Sequence, residues 1–211
     1  TKRPADPLNP MPEECDAFLN AKYLASYNGN LYYFLSNMNG TGMRTQAIRA
    51  KEDGSERQVL GEFDGTLSLI SPGLYRDNCF YFLNSVSVME DAEVTYPSGE
   101  VEMHPQQVAN KLSLACFDLE NGNYRDLTVP SVRTDIQGAI CGIWEDTVYY
   151  FFTDCQEDGA FSTLYGYDLA TGETRIVEET MDTRVFSLAI MVEDIFCLLY
   201  TSDAADDMQC V

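Results

Sequence analysis

Five carboxylates and the chain's single histidine crowd into one stretch: Glu90, Asp91, Glu93, Glu100, Glu102 and His104. Carboxylates grouped this way can hold a cation or meet a basic partner, and a histidine among them can move a proton near neutral pH. The same composition suits a solvated surface insertion, because a long insertion costs little in closure entropy. The spacing does not choose between them. The chain contains no Asp-x-Asp-x-Asp-Gly calcium loop, and His104 precedes Pro105 with no recognisable nucleophile or orienting partner in the sequence. These six residues are therefore expected to form a possible ligand loop, and no catalytic, cofactor-binding or metal-ligating residue is assigned.

Other chemistry is tested and set aside. The chain has no nucleophile elbow, P-loop, dinucleotide fingerprint or His-Glu-x-x-His pair. Seven cysteines fall to five when Cys197 and Cys210 of the terminal segment are left out, and Cys15, Cys79, Cys116, Cys141 and Cys155 have no C-x-x-C spacing that would suggest zinc. Cys79, Cys116 and Cys141 lie in apolar contexts and are expected to be small buried thiols. The formal charge of −21 argues against nucleic acid, whose phosphates require a basic surface. Leaving out Asp203, Asp206 and Asp207 of the terminal segment makes it −18 (−21 + 3), which does not alter that conclusion.

The elements that carry these residues are set by a repeat. Tyr27–Phe34 (YNGNLYYF), Tyr75–Phe82 (YRDNCFYF) and Trp144–Phe151 (WEDTVYYF) each place an aromatic residue, a short polar turn and an aromatic strand in succession. A weaker echo starts at Val192–Phe196 (VEDIF). The steps are 48 residues (75 − 27), 69 (144 − 75) and 48 again (192 − 144). A second motif, an acidic residue and a glycine turn leading into a strand, recurs as Glu52–Leu60, Phe117–Leu127 and Tyr167–Val177. Two hairpins per period make four strands, the unit of a β-propeller blade. The strands Leu31–Leu35, Cys79–Leu83 and Val148–Phe152 are continuous apolar runs, as expected when both faces are covered by neighbouring blades. Their aromatic residues are expected to be inter-blade core, not a sugar platform, and Trp144 to be structural like Tyr27 and Tyr75. The surplus in the long middle step lies between Asn84 and Lys111 and reads as a polar loop, with Val94–Tyr96 able to pair briefly.

The expected architecture is all-β: a β-propeller fragment of four-stranded antiparallel blades, about three blades and the start of a fourth. Residues 1–196 form the partial propeller, with blades at about 21–63, 67–129, 138–180 and 185–196. Residues 197–211 resemble the translation of a transposon-end sequencing adapter, so they are expected to be a non-native tail and the natural protein to be longer at both ends.

Residues 27–34, 53–60 and 167–173 are similar in style to the blades of TolB-like and low-density-lipoprotein-receptor-like (YWTD-style) propellers, particularly uncharacterised propeller proteins of gut Clostridia. In those, "Y-N-G-x-L-Y-Y" is followed by "D-G-S-x-R-x-x-L" or "Y-D-L-x-T-G-E". Residues 2–18 resemble a family segment bearing a cysteine and a histidine near positions where this chain has Ala5 and Leu8, leaving Cys15. The resemblance implies a secreted or lipid-anchored cell-envelope bacterial protein without known catalysis, and no cofactor is expected. The expected role is non-catalytic binding or scaffolding of a protein, peptide or glycan, with no transmembrane segment in this fragment. The alternative is the propeller part of an enzyme such as a serine peptidase or polysaccharide lyase, in which His104 would meet two carboxylates and an arginine in the central channel.

Overall fold

A computed structural model describes residues 21–39, 42–68, 73–133, 136–156, 159–181, 188–192 and 195–199. Strands β1 (Ala21–Tyr27), β2 (Asn30–Asn39), β3 (Gly42–Lys51) and β4 (Gln58–Asp64) form an antiparallel meander in chain order, blade one. Blade three repeats it with β11 (Ile136–Trp144), β12 (Thr147–Gln156), β13 (Gly159–Asp168) and β14 (Thr174–Met181). Blade two has the same plan, but its first and last strands are each broken. There β5 (Thr66–Leu67) and β6 (Leu74–Arg76) both pair with β7 (Cys79–Thr95), and β9 (Tyr124–Asp126) and β10 (Ser131–Arg133) both pair with β8 (Val101–Asp118). A last pair, β15 (Leu188–Val192) with β16 (Ile195–Leu199), opens a fourth sheet. The chain is thus an all-β propeller fragment of four-stranded blades. Strand β16 runs three residues into the segment that resembles an adapter, because Cys197–Leu199 is apolar enough to extend a strand whatever its source. Residues 200–211 and 1–20, including Cys15, lie outside the described residues, as does the side chain of Cys155.

Strand alternation lets each blade serve two neighbours. On β7, Phe80 and Phe82 turn to blade one and join Tyr32, Phe34 and Phe63 in one core. Their neighbours Tyr81 and Leu83 turn the other way and join Ile140, Val148 and Tyr150 of blade three. The same switch on β8 sends Ala115 and Phe117 to blade one and Leu114 and Cys116 to blade three. Phe34 stacks on Phe80 with ring centroids 4.6 Å apart and meets Phe117 edge-on at 5.9 Å. Each such pair adds about 0.5–1.5 kcal/mol beyond the area it buries. The repeated aromatics are core, as expected, with Phe151 and Phe152 only half-buried. Among the thiols, Cys116 is fully buried and Cys79 and Cys141 half-buried.

The three aromatic residues that begin the repeat are not equivalent. Tyr75 packs over Phe80 at 4.5 Å, but Tyr27 and Trp144 are 45% and 42% exposed. They end strands β1 and β11 next to the turns, where the ring can swing off the sheet. Trp144 thus shares the half-exposed strand-end position of Tyr27 and not the packed position of Tyr75.

Local chemistry sets the turns. Asn28 and Gly29 both have positive φ (50° and 70°), as do Asp77 and Asn78 (50° and 60°) in the second copy. Such pairs match the twist of a two-residue hairpin, and asparagine and aspartate tolerate that backbone region. In the second motif, Asp118 Oδ1 accepts from the amides of Glu120 and Asn121, and Asp168 Oδ1 from those of Ala170 and Thr171. The side-chain and backbone amides of Asn121 hold the Asp118 carboxyl below its ordinary 3.8, and the Thr171 amide does the same for Asp168. Gly122 reaches φ 70° in one of these turns and lies against blade one, where a Cβ on Gly61 would stand 2.4 Å from its carbonyl oxygen. Two backbones meet there because neither residue has a side chain.

Replacing Phe34 with alanine is expected to cost about 3–5 kcal/mol, the usual range for a buried phenylalanine. A fall in urea midpoint checks it, with exposed Tyr27→Ala changing stability by less than about 0.5 kcal/mol. The aspartate turns predict acid sensitivity. Their folded-state carboxyls titrate below 3.8, so their stabilisation is complete above that value and is lost as pH falls through the lower folded-state midpoint. Carbonyl NMR titration should place Asp118 and Asp168 below exposed aspartates.

Candidate functional site

The stretch holding the six candidate residues is not a loop. Strands β7 and β8 continue past the blade as a two-stranded arm: Val88 lies opposite Ala109, the register then shifts by one residue, and it runs unbroken from Met89 opposite Gln107 to Thr95 opposite Val101. At the usual antiparallel rise that is roughly 25 Å. The first strand of the blade stops at Thr66, opposite Ser85, and the last ends at Arg133, opposite Asn110, so beyond them the two arm strands pair with each other. The turn is Tyr96-Pro97-Ser98-Gly99: the Gly99 amide donates to the Tyr96 carbonyl at 2.9 Å, and Gly99 takes φ 85°. Proline early and glycine last are what a three-residue hairpin loop asks for. Val86, Val88, Ala92 and Val94 share one phase of the strand, but Glu90 in that phase and Met89 out of it hide the period in the sequence.

The register divides the candidates. Ala92 faces His104 and Val94 faces Glu102, so Glu90, Glu102 and His104 share one side of the ribbon, in phase with Phe80 and Phe82. Asp91 and Glu93 lie on the other, opposite Pro105 and Met103, and Glu100 follows the turn. One group of three converges. His104 Nε2 lies 2.9 Å from Glu102 Oε2 and 2.9 Å from the Tyr96 hydroxyl, which also donates to Glu102 at 3.3 Å. This triad is at the surface, with Glu102 and Tyr96 exposed and His104 partly so. His104 meets one carboxylate and a phenol on an exposed arm, not the two carboxylates and arginine of the enzymatic alternative. Among the described residues, no three His, Cys, Asp or Glu side chains gather closely enough to hold a metal ion.

A second feature is concave, and the sequence did not single it out. The outer edge of blade two breaks at Leu127–Pro130, where the amides of Leu127 and Thr128 both turn to the Leu114 carbonyl. Proline cannot donate to a ladder, which favours the interruption. Behind the break, a cavity of about 400 Å³ opens between blades two and three. Its floor is a cross-strand ladder on blade three: Tyr150 opposite Tyr165, Phe152 opposite Thr163, and Asp154 opposite Phe161. Tyr150 and Tyr165 stack at 5.3 Å and 17°, and Phe152 meets Tyr150 at 5.4 Å and 72°. Burial pushes the Tyr150 phenol up to about 12, partly offset by hydrogen bonds with Thr174 and Thr128. It stays protonated in the physiological range. The thiols of Cys116 and Cys141 are also pushed up to about 12 by burial, which makes them poor nucleophiles.

No family model matches the chain, and no curated protein does. Several solved structures are similar to it in part. The β-propeller domain of the Trilobed protease from Pyrococcus furiosus is 15% identical over 84% of this chain and 48% of that one, with a TM-score of 0.41. A GH32 β-fructofuranosidase from Bombyx mori, solved with sucrose, is 10% identical over 90% and 45%, with a TM-score of 0.42. TolB from Acinetobacter baumannii is 12% identical over 88% and 50%, with a TM-score of 0.29. The chain spans about half the length of each. At such low overlap these likenesses carry nothing about activity, and the architecture stands on the blades and inter-blade cores of the chain itself.

Because a Cβ on Gly99 would meet nothing within 4 Å, a substitution there acts on the backbone alone. Gly99→Val is expected to disturb amide NMR signals of residues 86–110 and to leave those of the blade cores in place, with a melting temperature within a few degrees of the parent.

Proposed function

We propose that this chain is part of a non-catalytic binding propeller of a secreted or cell-envelope protein, and that the arm of blade two docks a basic, extended segment of a protein partner. The observation that carries the reading is the arm. It stands clear of the inter-blade cores, and residues 86–110 carry five carboxylates with no lysine or arginine. A ribbon whose outer backbone groups face solvent is a template for strand addition. Its charge selects the partner: a second copy of so acidic a chain is repelled, and a lysine- or arginine-rich segment is steered toward it. The exposed Val101 and Met103 give such a segment apolar contacts beside Asp91 and Glu93. The envelope location is supported by the resemblance of the repeat to secreted propellers. Among the described residues, no helix is long and apolar enough to cross a membrane.

The test compares two variants of equal charge. One neutralises the arm (Glu90→Gln, Asp91→Asn, Glu93→Gln, Glu100→Gln, Glu102→Gln). The other neutralises five exposed carboxylates elsewhere (Glu52→Gln, Glu56→Gln, Glu145→Gln, Glu173→Gln, Glu178→Gln). Against a lysine-rich extended peptide at 150 mM salt, the arm variant should lose at least about tenfold in affinity, ~1.4 kcal/mol, and the control much less. Equal losses would show attraction to bulk charge and overturn the assignment to the arm.

A further inference from the structure

We propose that the partner strand adds to one edge of the arm only, the free edge of β7 from Ser87 to Thr95, with basic residues two positions apart beside Asp91 and Glu93. This rests on the reading of the arm as a docking site and deepens it, because the two edges of the ribbon are not equivalent.

The hydrogen-bond phase of the arm follows from its turn. The Tyr96 amide donates to the Glu100 carbonyl at 2.8 Å, so these two residues face each other as a bonded pair. Bonded and non-bonded pairs alternate along an antiparallel ladder. Val94 with Glu102, Ala92 with His104 and Glu90 with Gln106 therefore turn their backbone groups inward. Thr95 with Val101, Glu93 with Met103, Asp91 with Pro105 and Met89 with Gln107 turn theirs outward. The blade end of β7 gives the same phase. The Ser68 amide, just after β5, donates to the Leu83 carbonyl at 3.0 Å, which puts Leu83 and every second residue after it in the outward row.

On β7 that row is unbroken. Ser87, Met89, Asp91, Glu93 and Thr95 each offer an amide and a carbonyl, and among the described residues no strand pairs with β7 on that side beyond Thr66 opposite Ser85. On β8 the row is interrupted twice. Pro105 has no amide to give in the middle of it, and the register shift leaves Val108 as an extra residue between Gln107 and Ala109. An outward-facing proline and a bulge are devices that keep a strand edge from pairing. They guard β8 and leave β7 open.

Charge selects what the open edge takes. Met89, Asp91, Glu93 and Thr95 project to one face, and an added strand sets every second residue beside them. A second copy of this edge would bring carboxylates against carboxylates, which is unfavourable across a strand pair. Lysine or arginine at two positions, two apart, meets Asp91 and Glu93 instead. The long stems of such residues can lie across the ribbon toward the exposed Met103 and Val101 on the same face.

The test uses the full chain and, as probe, a peptide of about ten residues alternating lysine and threonine, at 150 mM salt. Amide hydrogen exchange of the parent chain is read with and without saturating peptide. The peptide should slow exchange at Ser87, Met89, Asp91, Glu93 and Thr95 by at least about tenfold and leave Val101, Met103 and Gln107 unchanged. Met89→Pro and Gln107→Pro remove outward amides from opposite edges at one rung, with no change of charge. The first should weaken peptide binding by at least about tenfold and the second by less than about threefold. Slowing of the β8 row, or of both rows equally, overturns the proposal. Binding that needs the arm carboxylates but slows neither row also overturns it, and leaves the arm as a docking site held through side chains. No binding, or binding indifferent to the arm carboxylates, overturns both readings. Slowing of the β7 row by rising protein concentration without peptide would assign the edge to a second copy, again overturning the proposal. The exchange comparison uses the parent chain, so it stands even if a proline variant fails to fold.

Discussion

The structure depends on aromatic strands being covered on both faces. A sheet whose inner strands read Phe80-Tyr81-Phe82-Leu83 has no side that tolerates water, so it is stable only between two others. Phe80 and Phe82 commit blade two to blade one, and Tyr81 and Leu83 commit it to blade three. The packing of Phe34 on Phe80 and the close approach of Gly61 to Gly122 are consequences, since blades must come close enough to exclude water along the whole seam. Polar links trim the same seams. Arg76 spans from blade two to Asp146 of blade three at 2.9 Å, and Ser68 donates to the Gly138 carbonyl at 3.2 Å. The first is an exposed ion pair that adds little energy, and the second is a partly buried hydrogen bond across the seam.

The two candidate sites are places where that constraint is relaxed. Along the arm, β7 and β8 outrun the neighbouring blades, so apolar core residues give way to the carboxylates of Glu90, Asp91 and Glu93. At the outer edge of blade two, the ladder stops at Asp126 and resumes at Ser131, leaving part of blade three uncovered. Phe152 and Tyr165, which would otherwise be sealed, are half-buried there. A propeller seam is continuous by default, so an arm and a gap are the features that its core packing does not explain.

Much of this was legible in the residues. Asn28-Gly29 and the Asp118 and Asp168 turns are written in local chemistry, and the repeat of aromatic strands at intervals of 48 and 69 residues implies stacked blades. What stayed hidden has physical reasons. A strand apolar on both faces has no period, so the sequence does not say that Phe82 faces one blade and Leu83 the other. In the arm the opposite holds: Glu90, Asp91 and Glu93 interrupt the alternation of valines, and the segment passes for a loop. The analogy among Tyr27, Tyr75 and Trp144 holds in position and not in burial, because a residue at a strand end has room to stand partly clear of the sheet while Tyr75 packs on Phe80. The cavity leaves no local signal beyond Pro130 and an aspartate in phase with Tyr150 and Phe152, since it depends on one blade edge relative to the next.

The central claim is that core packing between blades ends where the arm begins, which leaves the arm free to engage a partner. Native-state hydrogen exchange reads that boundary directly. Amides of β2, β3, β12, β13 and the inner parts of β7 and β8 should exchange slowly together, with protection falling sharply beyond Val88 and Ala109 even though the arm is hydrogen-bonded to its tip. Protection continuing undiminished to Thr95 and Val101, or blade-two strands exchanging as fast as the arm, would contradict the account.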